Sequence, residues 1–173
     1  MDNLTFIKDY LARYKKSLFE NDISDQIIEM KEMLLEIKNN GKKVIIAGNG
    51  GSAAMASHVA VDFTKQGGIR TVNFNEADLI TCFANDYGYE HWVGKAVEFY
   101  GDERDMVILI SSSGSSKNMI NAAKSAQQLA MSIVTFTGFS PDNILKQKGN
   151  LNFWVDSKAY NVVENTHQIW LLM

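Results

Sequence analysis

Residues 43–63 read KVIIAGNGGSAAMASHVAVDF. The run KVIIA (43–47) is short, continuous and apolar, the pattern of a parallel strand buried on both faces. GNGGS (48–52) follows, and Ala53 opens a segment with helical spacing. Strand, glycine-rich turn and helix in this order form the opening of a β–α–β unit. Downstream, RTVNF (70–74), MVILI (106–110), SIVTFTG (132–138) and LNFWV (151–155) read as four further strands. Helices are expected over Trp92–Tyr100, over 116–131 and from about Tyr160 onward. A short helix is expected over 140–147, with Ser140 as its N-cap and Pro141, the single proline, at its first position. FANDYGYEH (83–91) reads as a loop. Upstream, Leu4, Ile7, Leu11, Tyr14 and Leu18 mark one helix, and Ile27, Met30, Leu34 and Ile37 a second that Gly41 terminates. The expected fold is an α/β three-layer sandwich, flavodoxin-like, with a five-stranded parallel sheet and helices on both faces. It forms one domain over 1–173, a helical pair (1–41) leading a parallel core (42–173).

The 173 residues are 46% apolar and 21% charged, with a net charge of −3. That balance suits a globular domain and argues against a nucleic-acid footprint. No apolar run approaches a membrane span, and the first residues lack the apolar core of a signal peptide. A lone cysteine, Cys82, excludes a disulfide framework and a thiolate zinc site. A cytoplasmic location is therefore expected. Within LITCFA, Cys82 reads as a small buried apolar residue. Trp92, Phe99 and Tyr100 read as core or interface aromatics, and His91 as solvated or capping.

In sheets of this kind ligands sit beyond the carboxyl ends of the strands, where strand order reverses. The loops after the first and third strands are then the places to look. Glycines at 48, 50 and 51 let backbone N–H groups approach a ligand at a helix start. The second loop, ISSSGSSKN (110–118), carries five serines around Gly114. Capping accounts for one hydroxyl. The rest supply rotatable donors above a helix N-terminus, a cup for phosphate that needs no lysine. GNGGSA also fits a dinucleotide pattern, with Glu76 after the second strand, but that reading leaves the serines unused.

Three stretches in order, AGNGGSAAMASHVAVDF, ANDYGYEHW and ISSSGSSKNMINAA, resemble the sugar isomerase (SIS) domain family, and within it the bacterial phosphoheptose isomerases. The resemblance covers nearly the whole chain. It implies a phosphorylated sugar as ligand, a homotetramer with sites near subunit interfaces, and isomerisation of sedoheptulose 7-phosphate for surface-polysaccharide synthesis. By the family pattern Ser111, Ser113 and Ser116 hold phosphate, with Ser112 in the same cup. Asn49, Gly50, Gly51 and Ser52 line the sugar, and Asn85 and Asp86 contact it.

An aldose–ketose isomerase moves a proton between adjacent carbons and needs a base, an acid and a group that polarises the carbonyl. His58 and Asp62, four apart, share a helix face. The family carries a histidine and a glutamate there, and some members bind zinc on that face. His58 and Asp62 would be its ligands here, although no cofactor is required. Asp62 is one methylene shorter than the family glutamate. In the last helix, alignment on Glu164 puts Val163 and Leu171 where the family has a glutamine and a histidine, and leaves His167, midway between them, as either a relocated catalytic residue or an incidental histidine of an interface helix. These departures support an alternative: a non-catalytic phosphosugar-binding or protein-interaction module.

Overall fold

A computed structural model describes residues 2–173. The chain runs α1 (Asn3–Phe19), α2 (Ser24–Asn39), β1 (Val44–Gly48), α3 (Gly51–Lys65), β2 (Thr71–Val72), α4 (Ala77–Tyr87), α5 (Trp92–Tyr100), β3 (Met106–Ser111), α6 (Lys117–Gln128), β4 (Ser132–Thr137), a 3₁₀ turn (Lys146–Lys148), β5 (Leu151–Trp154) and α7 (Tyr160–Leu171). Every strand pairing is parallel, in the order β2-β1-β3-β4-β5. The order reverses between β1 and β3, so their carboxyl ends flank the crevice where such sheets take ligands.

Strand alternation sends side chains to two cores. Val44 and Ile46 of β1, with Ile108 and Ile110 of β3, meet α2, α3 and α7 through Met30, Val59 and Trp170. Ile45, Val107 and Leu109 face α4, α5 and α6 and pack with Trp92, Val97 and Met119. Both faces are covered, which explains why the strands read as unbroken apolar runs. At the amino end of the sheet, Lys43 bonds Asp102 (2.6 Å) and the buried Asp105 (2.5 Å), pinning the start of β1 to that of β3. Among the described residues, no helix is long and apolar enough to cross a membrane.

Several expectations are corrected. Residues 83–87 continue a helix, α4, which ends at Gly88 (φ 86°). Its face Leu79, Ile80, Phe83 and Ala84 packs on the α5–α6 core. Cys82 sits on the opposite face and is exposed, its thiol 3.7 Å from Asp86 Oδ2. The helix expected over 140–147 is instead a run of turns with three 3₁₀ residues. The buried Asn143 takes over the segment: it donates to Thr137 Oγ1 and the Ser140 carbonyl and accepts from the Lys146 amide. Ser140 Oγ bonds Asp142 rather than capping a helix.

Candidate functional site

The turn after β1 is set by close approach. A Cβ on Gly48 would lie 2.6 Å from Ser52 Cβ, so only glycine lets α3 begin directly over the strand end. Asn49, at the tip, forms a reciprocal amide pair with the buried Asn118 of α6 (3.0 and 2.8 Å), and Tyr89 donates to Asn49 Oδ1 (3.1 Å). The two loops are thereby locked across the switch point.

The serine loop turns tightly. Gly114 N–H bonds the Ser111 carbonyl (2.9 Å) at φ 63°, and Asn143 lies where a Cβ would stand. Ser116 is the N-cap residue of α6 yet makes no capping bond; its Oγ accepts from Ser111 Oγ (3.0 Å). The hydroxyl best placed to close the helix start is turned into the cup, and the start keeps its attraction for an anion. Ser111, Ser112, Ser113 and Ser116 line one small cavity of about 100 Å³ with Asn49, Ser52, Tyr160 and Glu164. Its volume is that of roughly three waters, the size class of one compact anion.

His58 Nε2 lies 3.3 Å from Asp62 Oδ2. The Gln168 amide reaches His58 Nδ1 at 3.2 Å. With that amide donating to Nδ1, the neutral ring carries its proton on Nε2, toward Asp62. His58 is open to solvent at 56%, and Asp62 is partly covered at 29%. A zinc site draws on three or four protein ligands. Among the described residues no third histidine, cysteine, aspartate or glutamate joins this pair. The donor set of one chain does not fit a resident zinc.

Asn85 and Asp86 end α4 and bond each other (2.9 Å); they do not line the cavity. His167 is a correction. It is fully buried, edge-on to Phe136, and bonds the Thr137 carbonyl (3.0 Å) at the end of β4. Desolvation drops its pKa to about 4. A neutral imidazole sealed in the core reaches no ligand. Val163 and Leu171 are buried in the same core, Val163 against Gly138. The α7 face turned to the site is instead that of Tyr160, Glu164 and Gln168. Those three share the i, i+4 spacing, a signal legible in the sequence that alignment on the family pattern had obscured. Asn118, Tyr89 and Gln168 were also missed: amides and a phenol carry no chemistry by type, and only their pairing gives them a role.

A family model described as SIS domain matches residues 7–138. The chain belongs to the SIS domain family. Its relatives include the phosphoheptose isomerase of Thermodesulfovibrio yellowstonii, 34% identical over 162 residues, 90% of this chain and 80% of that protein. The phosphoheptose isomerase of Fusobacterium nucleatum is 32% identical over 176 residues, 99% and 90% respectively. Among solved structures, phosphoheptose isomerase from Neisseria gonorrhoeae superposes with a TM-score of 0.89 at 26% identity, covering 98% of this chain and 95% of that one. The Francisella tularensis phosphoheptose isomerase, at 24% identity and a TM-score of 0.91, shares the fold.

Proposed function

We propose that the protein is a phosphosugar aldose–ketose isomerase that interconverts sedoheptulose 7-phosphate and an aldoheptose 7-phosphate. One observation carries the reading: four serines and the uncapped start of α6 converge on a single cavity at the switch point of the sheet. Relatives named phosphoheptose isomerase over most of the chain support the substrate class. The burial of Val163 and Leu171 takes away the motive for a non-catalytic module, since neither position faces the site.

In this reading the serine cup and the α6 dipole hold the terminal phosphate. The sugar runs along α3, which α7 overlies from Glu164, beside Gly51, to Gln168, beside His58. His58 lies seven residues beyond Gly51, about 10 Å along the helix, and meets the carbonyl end. The Asp62 carboxylate takes the proton from C1 of the ketose while His58 Nε2–H donates to the C2 oxygen, giving an enediol. Return of the first proton to C2, with the O1 proton passing back to His58 Nε2, leaves the aldehyde at C1. Gln168, donating to Nδ1, sets Nε2 as the ring nitrogen that carries the proton before and after each turnover. The reading also carries a homotetramer and a cytoplasmic setting.

The test is turnover of sedoheptulose 7-phosphate by the purified chain, followed as appearance of an aldose phosphate, with His58→Asn and Asp62→Asn in parallel. Wild type is expected to turn over, and each variant to lose about 10²–10⁴ in kcat. An inactive wild type that binds phosphosugars tightly would leave the binding-module reading in its place.

A further inference from the structure

Glu164 has no part in that chemistry, yet it occupies the cavity. It lies on the site face of α7, and a Cβ on Gly51 would stand 2.8 Å from its Oε2. Among the described residues lining the cavity it is the only charged one, beside Asn49, Ser52, Tyr160 and the serines. It pairs with no lysine, arginine or histidine among the described residues.

A carboxylate next to a phosphate cup opposes a bare phosphate, because like charges at close range repel. No lysine or arginine in the lining offsets it. The arrangement favours a ligand only if that ligand brings donors for the carboxylate. An ionised carboxylate accepts and cannot donate. Inorganic phosphate at neutral pH brings one or two P–OH donors, but on the same atom group as its full charge, whereas a sugar phosphate offers hydroxyls on neutral carbons beside its phosphate, with the charge set back in the cup. Discrimination of this sort needs a repulsive element as well as an attractive one.

We propose that Glu164 is a specificity-determining residue: it accepts hydrogen bonds from the sugar hydroxyls next to the phosphate and disfavours inorganic phosphate and ligands with a second anionic group there. This rests on the phosphosugar reading. Its placement near the cup, rather than near His58, sets it beside the phosphate end of the sugar and away from the reacting carbons.

The competing role is structural. Gly50 provides no side-chain cap for α3, and a carboxylate near a helix start stabilises it. Calorimetric titration of wild type and Glu164→Gln with inorganic phosphate and with sedoheptulose 7-phosphate separates the two. The expected result is opposite in sign: phosphate binds about fivefold tighter to the variant, and the heptulose phosphate about tenfold weaker. KM should rise with kcat within about threefold of wild type, and Tm should hold. Weakening of both ligands with a lowered Tm would assign Glu164 to α3. A hundredfold fall in kcat at unchanged KM would make it a proton-transfer group. Either result, or unchanged affinities, overturns the proposal. If Glu164→Gln does not fold, Glu164→Asp keeps the charge but withdraws it, and should weaken the heptulose while leaving phosphate near wild type. A wild type that binds phosphate but neither binds nor converts the heptulose overturns the isomerase reading first, before any variant is made.

Discussion

His167 is enclosed by Phe136 and Trp170, with Nε2–H on the Thr137 carbonyl and Nδ1 without a partner. Burial lowers its pKa from 6.5 to about 4. The unfolded chain therefore binds this proton more readily than the folded one. The neutral ring's contribution is fully present above about pH 6.5 and is lost as pH falls toward 4, to a total of about 3 kcal/mol. Glu98 and Asp102, whose carboxyls are held low by hydrogen bonds from Lys95 and Lys43, add their own acid sensitivity. The histidine is isolated by difference. Urea melts of His167→Met should show lower stability at pH 7, because the Thr137 carbonyl loses its donor, and a shallower fall between pH 6.5 and 4 than wild type. Equal slopes would mean that His167 titrates normally. The burial was legible in the sequence: Val163, His167 and Trp170 fall at i, i+4 and i+7, one apolar stripe. A histidine within such a stripe belongs to the core first, and a residue type that suggests chemistry does not move it to the surface.

Among elements, strands and long helices were readable because sheet burial on both faces leaves continuous apolar runs, and Gly41 closes α2 at φ 66° as a C-terminal glycine should. α4 is hard to read because Asn85, Asp86 and Gly88 look like a turn, although the apolar stripe Leu79, Ile80, Phe83 and Ala84 leads helically into them. The segment after β4 departs from its expected helix for a different reason. Ser140 and Pro141 form a credible helix start, but the Asn143 side chain competes for the local backbone and wins, as short amides do in turns. That competition supports the serine loop. Asn143 packs behind Gly114, whose carbonyl accepts from the Leu145 amide (3.0 Å). Gly114→Ala combines a positive φ with a collision against that side chain and should destabilise by about 2–4 kcal/mol while weakening phosphate binding. Asn143→Gly removes the obstacle together with its hydrogen bonds. The double variant should then be more stable than the sum of the two single losses by about 1 kcal/mol or more, read from denaturant midpoints. Strict additivity would show that strain at φ 63°, and not contact with Asn143, sets the need for glycine.

At the scale of the whole molecule, the doubly covered sheet and its switch point followed from alternating strands and helices, whereas the surface did not. The stripe Leu4, Ile7 and Leu11 predicts a buried face of α1, yet all three are more than half exposed, as is Phe6 between them. α1 is fastened to α7 by other residues: Tyr10 and Tyr14 accept from Asn161 and Asn165 (2.8 Å each), and Ser17 meets the buried Thr166 (3.1 Å). α1 is thus held by its polar edge, with its apolar stripe turned outward. Each leucine left in water forgoes about 1.5–3 kcal/mol of burial. A homotetramer would cover this stripe, and light scattering on the eluting protein should then give about four times the 19.4 kDa chain mass. Ile7→Asp combined with Leu11→Asp places two charges on the stripe without touching Tyr10, Tyr14 or Ser17. This variant should elute as a smaller species with helix content retained, because the α1–α7 hydrogen bonds survive. A wild type that elutes as a monomer would remove the homotetramer. A double variant that stays tetrameric would move the contact to a different surface, of which exposed Phe99 and Tyr100 on α5 form one.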